Sequence, residues 1–345
     1  MPPSDHAGPT LGPVEPTDAP AAVGGGDASP PRIAALGDLN LDLTLEVAAH
    51  PDAGGEAIAT AQHTGVGGSA TNTAIVLARG GAHCRLLACI GDDPWGRFLL
   101  ERLTAAGDDA PDVAAVQRHP HEPTQVNVVA VTPDGERTMY AYRGANTRLV
   151  PTDELLEVVS DSDVLHLSGY ALLAAPQRDA AEAAVAAAAS AGRPVVADVP
   201  VGPAREAPAR LRALLPSVHT LVVAGAEARA LTGARDDGAA LARLLELGVR
   251  RVAFKLGPEG CRMVRADGEV TVRTQPLEPL DTTGAGDSFA AGVVLGLAHG
   301  WDDRTTGELA AKLGRLAVTR HGAGLMLASR REIAELRARS RRPDL

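Results

Sequence analysis

From residue 33 onward the chain alternates between short apolar runs and longer stretches with helical spacing. Apolar runs at residues 33–36, 85–90, 164–167, 194–198, 220–223 and 250–256 predict strands. Apolar positions three and four apart predict helices over 70–79, 95–106, 177–191, 227–231 and 239–247. This alternation predicts a mainly parallel sheet covered by helices on both faces. Runs that are apolar at every position, such as Leu221-Val222-Val223, fit strands buried from two sides. The last third reads as helical, over 286–298, 304–320 and 330–339.

One region breaks the rhythm. Residues 41–47, 57–62, 125–131 and 137–142 read as strands with no helix between them. The segment Thr132-Pro133-Asp134-Gly135-Glu136 is a hairpin-turn signal joining the last two. These runs predict a small β-strand lid, residues 41–62 and 125–142, beside the α/β body. No internal repeat is visible, so residues 32–340 read as one domain. Residues 1–31 are rich in proline, carry Gly24-Gly25-Gly26 and lack apolar periodicity, which predicts disorder.

Composition narrows the function classes. The 345 residues carry a net charge of −10, and only 2% are aromatic. An acidic chain poor in aromatics lacks the basic patch and stacking platforms of a nucleic-acid binder. No apolar run reaches the roughly 18–20 residues that cross a bilayer, and no basic start followed by an apolar core suggests a secretory signal. Cys84, Cys89 and Cys261 lack metal-type spacing and read as buried, reduced thiols, so a cytoplasmic location is expected. His166 lies on an apolar strand and reads as a core or pocket-wall residue. The cluster Arg330, Arg331, Arg337, Arg339, Arg341 and Arg342 reads as a solvated helix face.

Three segments carry candidate chemistry. The sharpest is Asp281-Thr282-Thr283-Gly284-Ala285-Gly286-Asp287-Ser288-Phe289, where small residues open an apolar helix. Free amides at a helix start stabilise an anion. A carboxylate there, Asp287, suits removal of a proton from an attacking hydroxyl better than phosphate binding. The second is Gly65-Val66-Gly67-Gly68-Ser69-Ala70-Thr71-Asn72, read as a glycine-rich loop entering the first helix, with room for a sugar and with Asn72 able to donate and accept. The third, Gly37-Asp38-Leu39-Asn40-Leu41-Asp42, follows the first strand, where open α/β sheets bind ligands. Asp42 there can accept two hydroxyl hydrogen bonds.

The run Gly67 to Asn72, followed by Ala78-Arg79-Gly80-Gly81-Ala82 and Ile90-Gly91-Asp92-Asp93-Pro94-Trp95-Gly96, resembles the N-terminal signature of the ribokinase-like, or phosphofructokinase-B, family of carbohydrate kinases. Asp281 to Phe289, continuing to Gly292, resembles the C-terminal signature. The resemblance covers residues 33–335 and implies a three-layer α/β/α fold with a β lid. It implies ATP and Mg2+ as cofactors, Asp287 as catalytic base, and Gly284, Ala285 and Gly286 as the anion hole. Asn40, Asp42, Gly67, Gly68, Asn72 and Asp287 match substrate positions. Lys255, Gly257, Gly260, Thr283, Gly284, Gly286, Gly322 and Ala323 match positions bordering the nucleotide. Glu227 matches a residue that meets the metal through water, although Ala224-Gly225-Ala226-Glu227 lacks the asparagine many relatives carry. Asp281 and Thr283 match part of a K+ loop, but Met326 falls where ribokinases place a serine. Ser168 stands where some ribokinases have an acid. A homodimer through the lid is also implied.

The expected activity is therefore phosphorylation of a hydroxyl on a small sugar or sugar-like substrate. A nucleoside kinase of the same fold is the alternative, with Tyr140, Tyr142 or Tyr170 as a wall for the base. Arg143 could meet a substrate phosphate or stand as a surface arginine. A catalytically silent sugar-binding or regulatory protein is the alternative from another class. A dinucleotide-binding oxidoreductase is disfavoured, because no Gly-x-Gly-x-x-Gly opens the first helix.

Overall fold

A computed structural model describes residues 29–340. Most of the segment expected to be disordered, and Arg341 and Arg342 of the basic tail, lie outside them. The chain begins with β1 (Arg32–Leu36), β2 (Asn40–Glu46), β3 (Ala61–Gly67), α1 (Ser69–Arg79), β4 (His83–Leu87) and β5 (Cys89–Gly91). It continues with α2 (Pro94–Ala105), β6 (Gln117–His119), β7 (Val126–Val131), β8 (Arg137–Tyr142), α3 (Asp153–Asp161), β9 (Val164–Ser168) and α4 (Gln177–Ser190). Then come β10 (Val195–Asp198), α5 (Val201–Glu206), α6 (Pro208–Leu214), β11 (Thr220–Ala224), α7 (Gly225–Thr232) and α8 (Asp237–Glu246). The last elements are β12 (Arg251–Lys255), β13 (Gly260–Arg265), β14 (Gly268–Arg273), α9 (Ala285–Ala298), α10 (Asp303–Ala317) and α11 (Arg330–Ser340).

The central sheet runs β14-β13-β12-β11-β10-β9-β1-β4. Its strands are parallel except β13 and β14, which pair antiparallel at one edge. One core packs α1, α2, α9, α10 and α11 on one face, and a second packs α3, α4, α7 and α8 on the other. The layers follow from strands that are apolar on both sides: Leu221, Val222 and Val223 are wholly buried. Helix starts are fixed by short polar caps, Asp93 accepting from the Gly96 amide and Asp302 from that of Thr305. All three cysteines are free and buried.

The strand order reverses beside β1, which has β4 on one side and β9 on the other. Ligands in open α/β sheets bind outside the carboxyl ends of strands at such a point. A separate sheet, β3-β2-β7-β8, forms the lid. Its β3 departs from the expected 57–62. Pairing with β2 runs from Asn40 opposite Gly67 to Glu46 opposite Ala61, so the strand occupies Ala61–Gly67. The residues read as a glycine-rich loop are thus the end of β3 and the first turn of α1, with Gly68 alone between them. The antiparallel edge and helices α3, α5 and α6 were not among the expected elements. The expected strand over 85–90 is divided into β4 and β5, which belong to different sheets.

Candidate active site

The loop before α9 brings the C-terminal motif to the carboxyl ends of the sheet strands. Gly284 has φ +75, a left-handed geometry that admits glycine without strain, and it lets the chain turn straight into the helix. The amides of Gly286 and Asp287 have no partner among the described residues. That of Ala285 turns back to the Thr282 carbonyl at 3.3 Å, so the three expected amides are not equivalent. Open amides with the helix dipole behind them can hold an anion.

Asp287 stands in the first turn of α9. One carboxylate oxygen accepts from the Ser69 hydroxyl at 2.8 Å and the other from the Asn72 side-chain amide at 2.7 Å. Both partners come from α1. Burial pushes the carboxyl up to about 7, with the nearby Asp198 carboxylate adding to the effect. A carboxyl with that value exchanges a proton near neutral pH. Asn72 also accepts from the Gly324 amide at 2.9 Å, tying α1 to the turn that follows α10.

The second carboxylate belongs to the lid. Asp42 in β2 accepts from Asn40 at 2.6 Å and from Asn127 in β7 at 2.9 Å. Burial raises its carboxyl to about 6 despite these bonds. The backbone of β3 passes so close that a Cβ at Gly67 would lie 2.1 Å from Asp42 Oδ2. At Gly68, φ is +106 and a Cβ would lie 2.2 Å from the Asp38 carbonyl. Asn40, Asp42, Gly67, Gly68, Asn72 and Asp287 therefore converge at one cleft, where β1, the lid and α1 meet.

The residues expected along the nucleotide divide. Asp281 accepts from the amides of Thr283 and Gly322 at 2.8 and 2.9 Å, drawing the 322–323 turn onto the anion loop. Ala323 lies beside Gly284. Gly260 is held by packing: a Cβ there would lie 2.1 Å from the Val272 carbonyl of β14. Gly257, with φ +60, has no neighbour that a Cβ would meet. Lys255 is largely buried at the end of β12. Its ammonium pairs with Asp198 at 3.3 Å beneath Gly286. Glu227 accepts from the Ala224 amide at 2.8 Å and caps α7.

Two arginines are already engaged. Arg137 of β8 crosses to the anion loop, donating to Asp281 and to the Thr282 hydroxyl at 2.9 Å each, and it also meets the Thr283 hydroxyl. A guanidinium thus neutralises the carboxylate expected at a K+ site. Arg143 donates to Asp38 at 2.9 Å, to Gln177 at 2.9 Å and to the Tyr170 carbonyl at 3.0 Å. That set engages both terminal nitrogens, while Nε is buried with no partner among the described residues. Tyr140 and Tyr142 lie opposite Val128 and Val126, on the lid face away from Asn127 and Asp42. They do not line the cleft. His166 is wholly buried with neither ring nitrogen partnered, and burial pushes it down to about 4.

Ser69, Asn127, Arg137 and Asp198 are contacts the sequence did not single out for a role. Asn127 carried a faint signal, a polar residue between Val126 and Val128 on an apolar strand. Asp198 carried another, a carboxylate ending an apolar strand.

A sequence model described as pfkB family carbohydrate kinase matches residues 30–330. The chain is 32% identical to 2-dehydro-3-deoxygluconokinase of Thermoproteus tenax, over 79% of this chain and 85% of that protein. It is 30% identical to aminoimidazole riboside kinase of Salmonella typhimurium, over 74% and 83%. The ribokinase of Arabidopsis thaliana, solved with ribose and ATP, superposes with a TM-score of 0.75 at 25% identity, over 89% of this chain and 98% of that one. A putative ribokinase II from E. coli, solved with ATP and Mg2+, gives 0.76 at 23% identity, over 90% and 99%.

Proposed function

The chain belongs to the pfkB family of carbohydrate kinases, and from that premise we propose that it transfers the γ-phosphoryl of ATP to a hydroxyl of a small sugar or sugar-like alcohol. One observation carries the reading: Asp287 is held by Ser69 and Asn72 in the same helical turn whose Gly286 and Asp287 amides stay open. The acceptor hydroxyl would lie against Asp287, which takes its proton as the oxygen attacks phosphorus in line. The open amides would stabilise the transferring oxygens without reorganising. Asp42, Asn40 and Asn127 would fix other hydroxyls of the acceptor. The lid would exclude water, so that the phosphoryl reaches the sugar rather than solvent.

Among the described residues no cluster of His, Cys, Asp and Glu could cage a metal. Mg2+ would be held mainly by nucleotide phosphates and water, with Glu227 as the carboxylate that would face its water shell. Bound there, Mg2+ neutralises charge on the phosphates. The outer lid face presents Tyr140 and Tyr142, both more than half exposed, and this apolar face supports a homodimer.

A neutral sugar is favoured over a nucleoside because the lid tyrosines point away from the cleft. It is favoured over a sugar phosphate because Arg143 is committed to Asp38 and Gln177. The test is ADP release with MgATP across ribose, fructose, sugar phosphates, 2-keto-3-deoxygluconate and nucleosides, beside Asp287→Asn. Release that depends on a neutral sugar and is lost in the variant bears the reading out. Silence across the panel, with the sugars still stabilising the fold against heat, would favour a silent sugar-binding protein instead.

A further inference from the structure

The sheet carries a polar row under the start of α9. Ser168, Asp198 and Lys255 end β9, β10 and β12, on the sheet face that packs α1 and α9. Asp198 is 2% exposed and Lys255 18%, and they pair at 3.3 Å. An ion pair this deep costs hydration on both partners, and removing one partner strands the other. Net stability therefore gives little reason for it. Its location gives a better one. The Lys255 ammonium lies 3.7 Å from where a Cβ would stand on Gly286, directly under the turn that presents Asp287.

Building on the phosphotransfer reading, we propose that Asp198 and Lys255 form a positioning dyad for Asp287, bracing the first turn of α9 from beneath with a matched pair of opposite charges. The role assigned to the pair is exercised through Asp287. The groups facing Asp287 are Ser69 and Asn72 from α1, Asp198 from β10 and Lys255 from β12, and its charge is also felt at Tyr170 after β9. Asp198 opposes ionisation of Asp287, whereas Lys255, Asn72 and Ser69 favour it. Lys255 is held charged because it faces three carboxylates, Asp198, Glu227 and Asp287. A lone carboxylate behind the base would keep it protonated. A lone ammonium would make it too weak a base. The pair leaves it poised between the two.

The test is a carboxyl titration of the full chain labelled with [4-13C]aspartate, the Asp287 signal being the one lost in Asp287→Asn. Asp198→Asn is expected to move its midpoint down by about one pH unit and Lys255→Met to move it up by a smaller amount. The double variant should fall between the two single variants. The acidic limb of kcat/KM should follow the same three displacements, which a merely structural pair would not produce. Midpoints that stay together, or that move in one direction, overturn the dyad. If Lys255→Met does not fold, Asp198→Asn decides alone: a fall in the midpoint supports the dyad and a fixed midpoint ends it. The titration needs no turnover. Opposed shifts in a chain that phosphorylates no acceptor would keep the dyad and overturn the phosphotransfer reading.

Discussion

The floor of the cleft and its lid are built on opposite principles. The floor is buried and redundantly held: Asp287 leans on two side chains of α1, its helix packs against α1 and α10, and the strands beneath are apolar on both faces. The lid is thin. Every residue of β7 is only partly buried, and β8 is exposed along almost its whole length. Its links to the floor include the reach of Arg137 to the anion loop and the Asp42–Asn127–Asn40 cluster at its root. On the phosphotransfer proposal, chemistry that tolerates no misplacement would sit on the well-packed half, and selection of the acceptor on the thinner half.

The floor's sharpest test is Asp287→Asn. It should lower kcat about 10²–10⁴-fold while sugar binding survives, as read by steady-state kinetics and calorimetry. In the unaltered protein the base works only when ionised. Its raised value makes activity climb with pH through about 7, and that limb should vanish in the variant. Packing under the floor comes next. A Cβ at Gly292 would lie 2.5 Å from the Ala310 backbone where α9 and α10 touch. Gly292→Ala should cost about 1–3 kcal/mol of stability, seen as a lower Tm. The lid should answer differently. Asn127→Ala should raise KM for the sugar about tenfold, one hydrogen bond's worth, with Tm and kcat nearly unchanged. A large fall in kcat there would erase the division between the two halves. The smallest effect belongs to the loop that joins them. Because Arg137 already neutralises Asp281, exchanging Na+ for K+ at fixed ionic strength should leave turnover unchanged.

The same division explains what could be read from the sequence. The floor is written contiguously: Asp281 to Phe289 is one uninterrupted string, and its glycines and carboxylate have meaning only beside one another. Body helices show apolar spacing, and most were found within two residues of their ends. The lid is written in pieces. Its strands are short and half-exposed, so apolar alternation is weak, and the pairing of β2 with β3 depends on contacts no local pattern encodes. That is why β3 was placed several residues early. Ser69 and Arg137 make their bonds across 218 and 144 residues of chain, and local spacing cannot signal such partners. The pairing of Lys255 with Asp198 spans 57 residues and is hidden from local spacing in the same way.

The parallel pairing of β2 with β7 has a consequence for how the molecule assembles. Asp42 meets Asn127 across 85 residues, and α1, β4 and α2 are formed within that interval. Closing so long a loop for a half-exposed pair gains little until those intervening elements have already brought the ends together. The lid is therefore expected to fold last and open first. In a hydrogen-exchange experiment the β8 amides should exchange well before those of β9 and β10. Destabilising substitutions in the lid should speed unfolding while leaving the folding rate almost untouched.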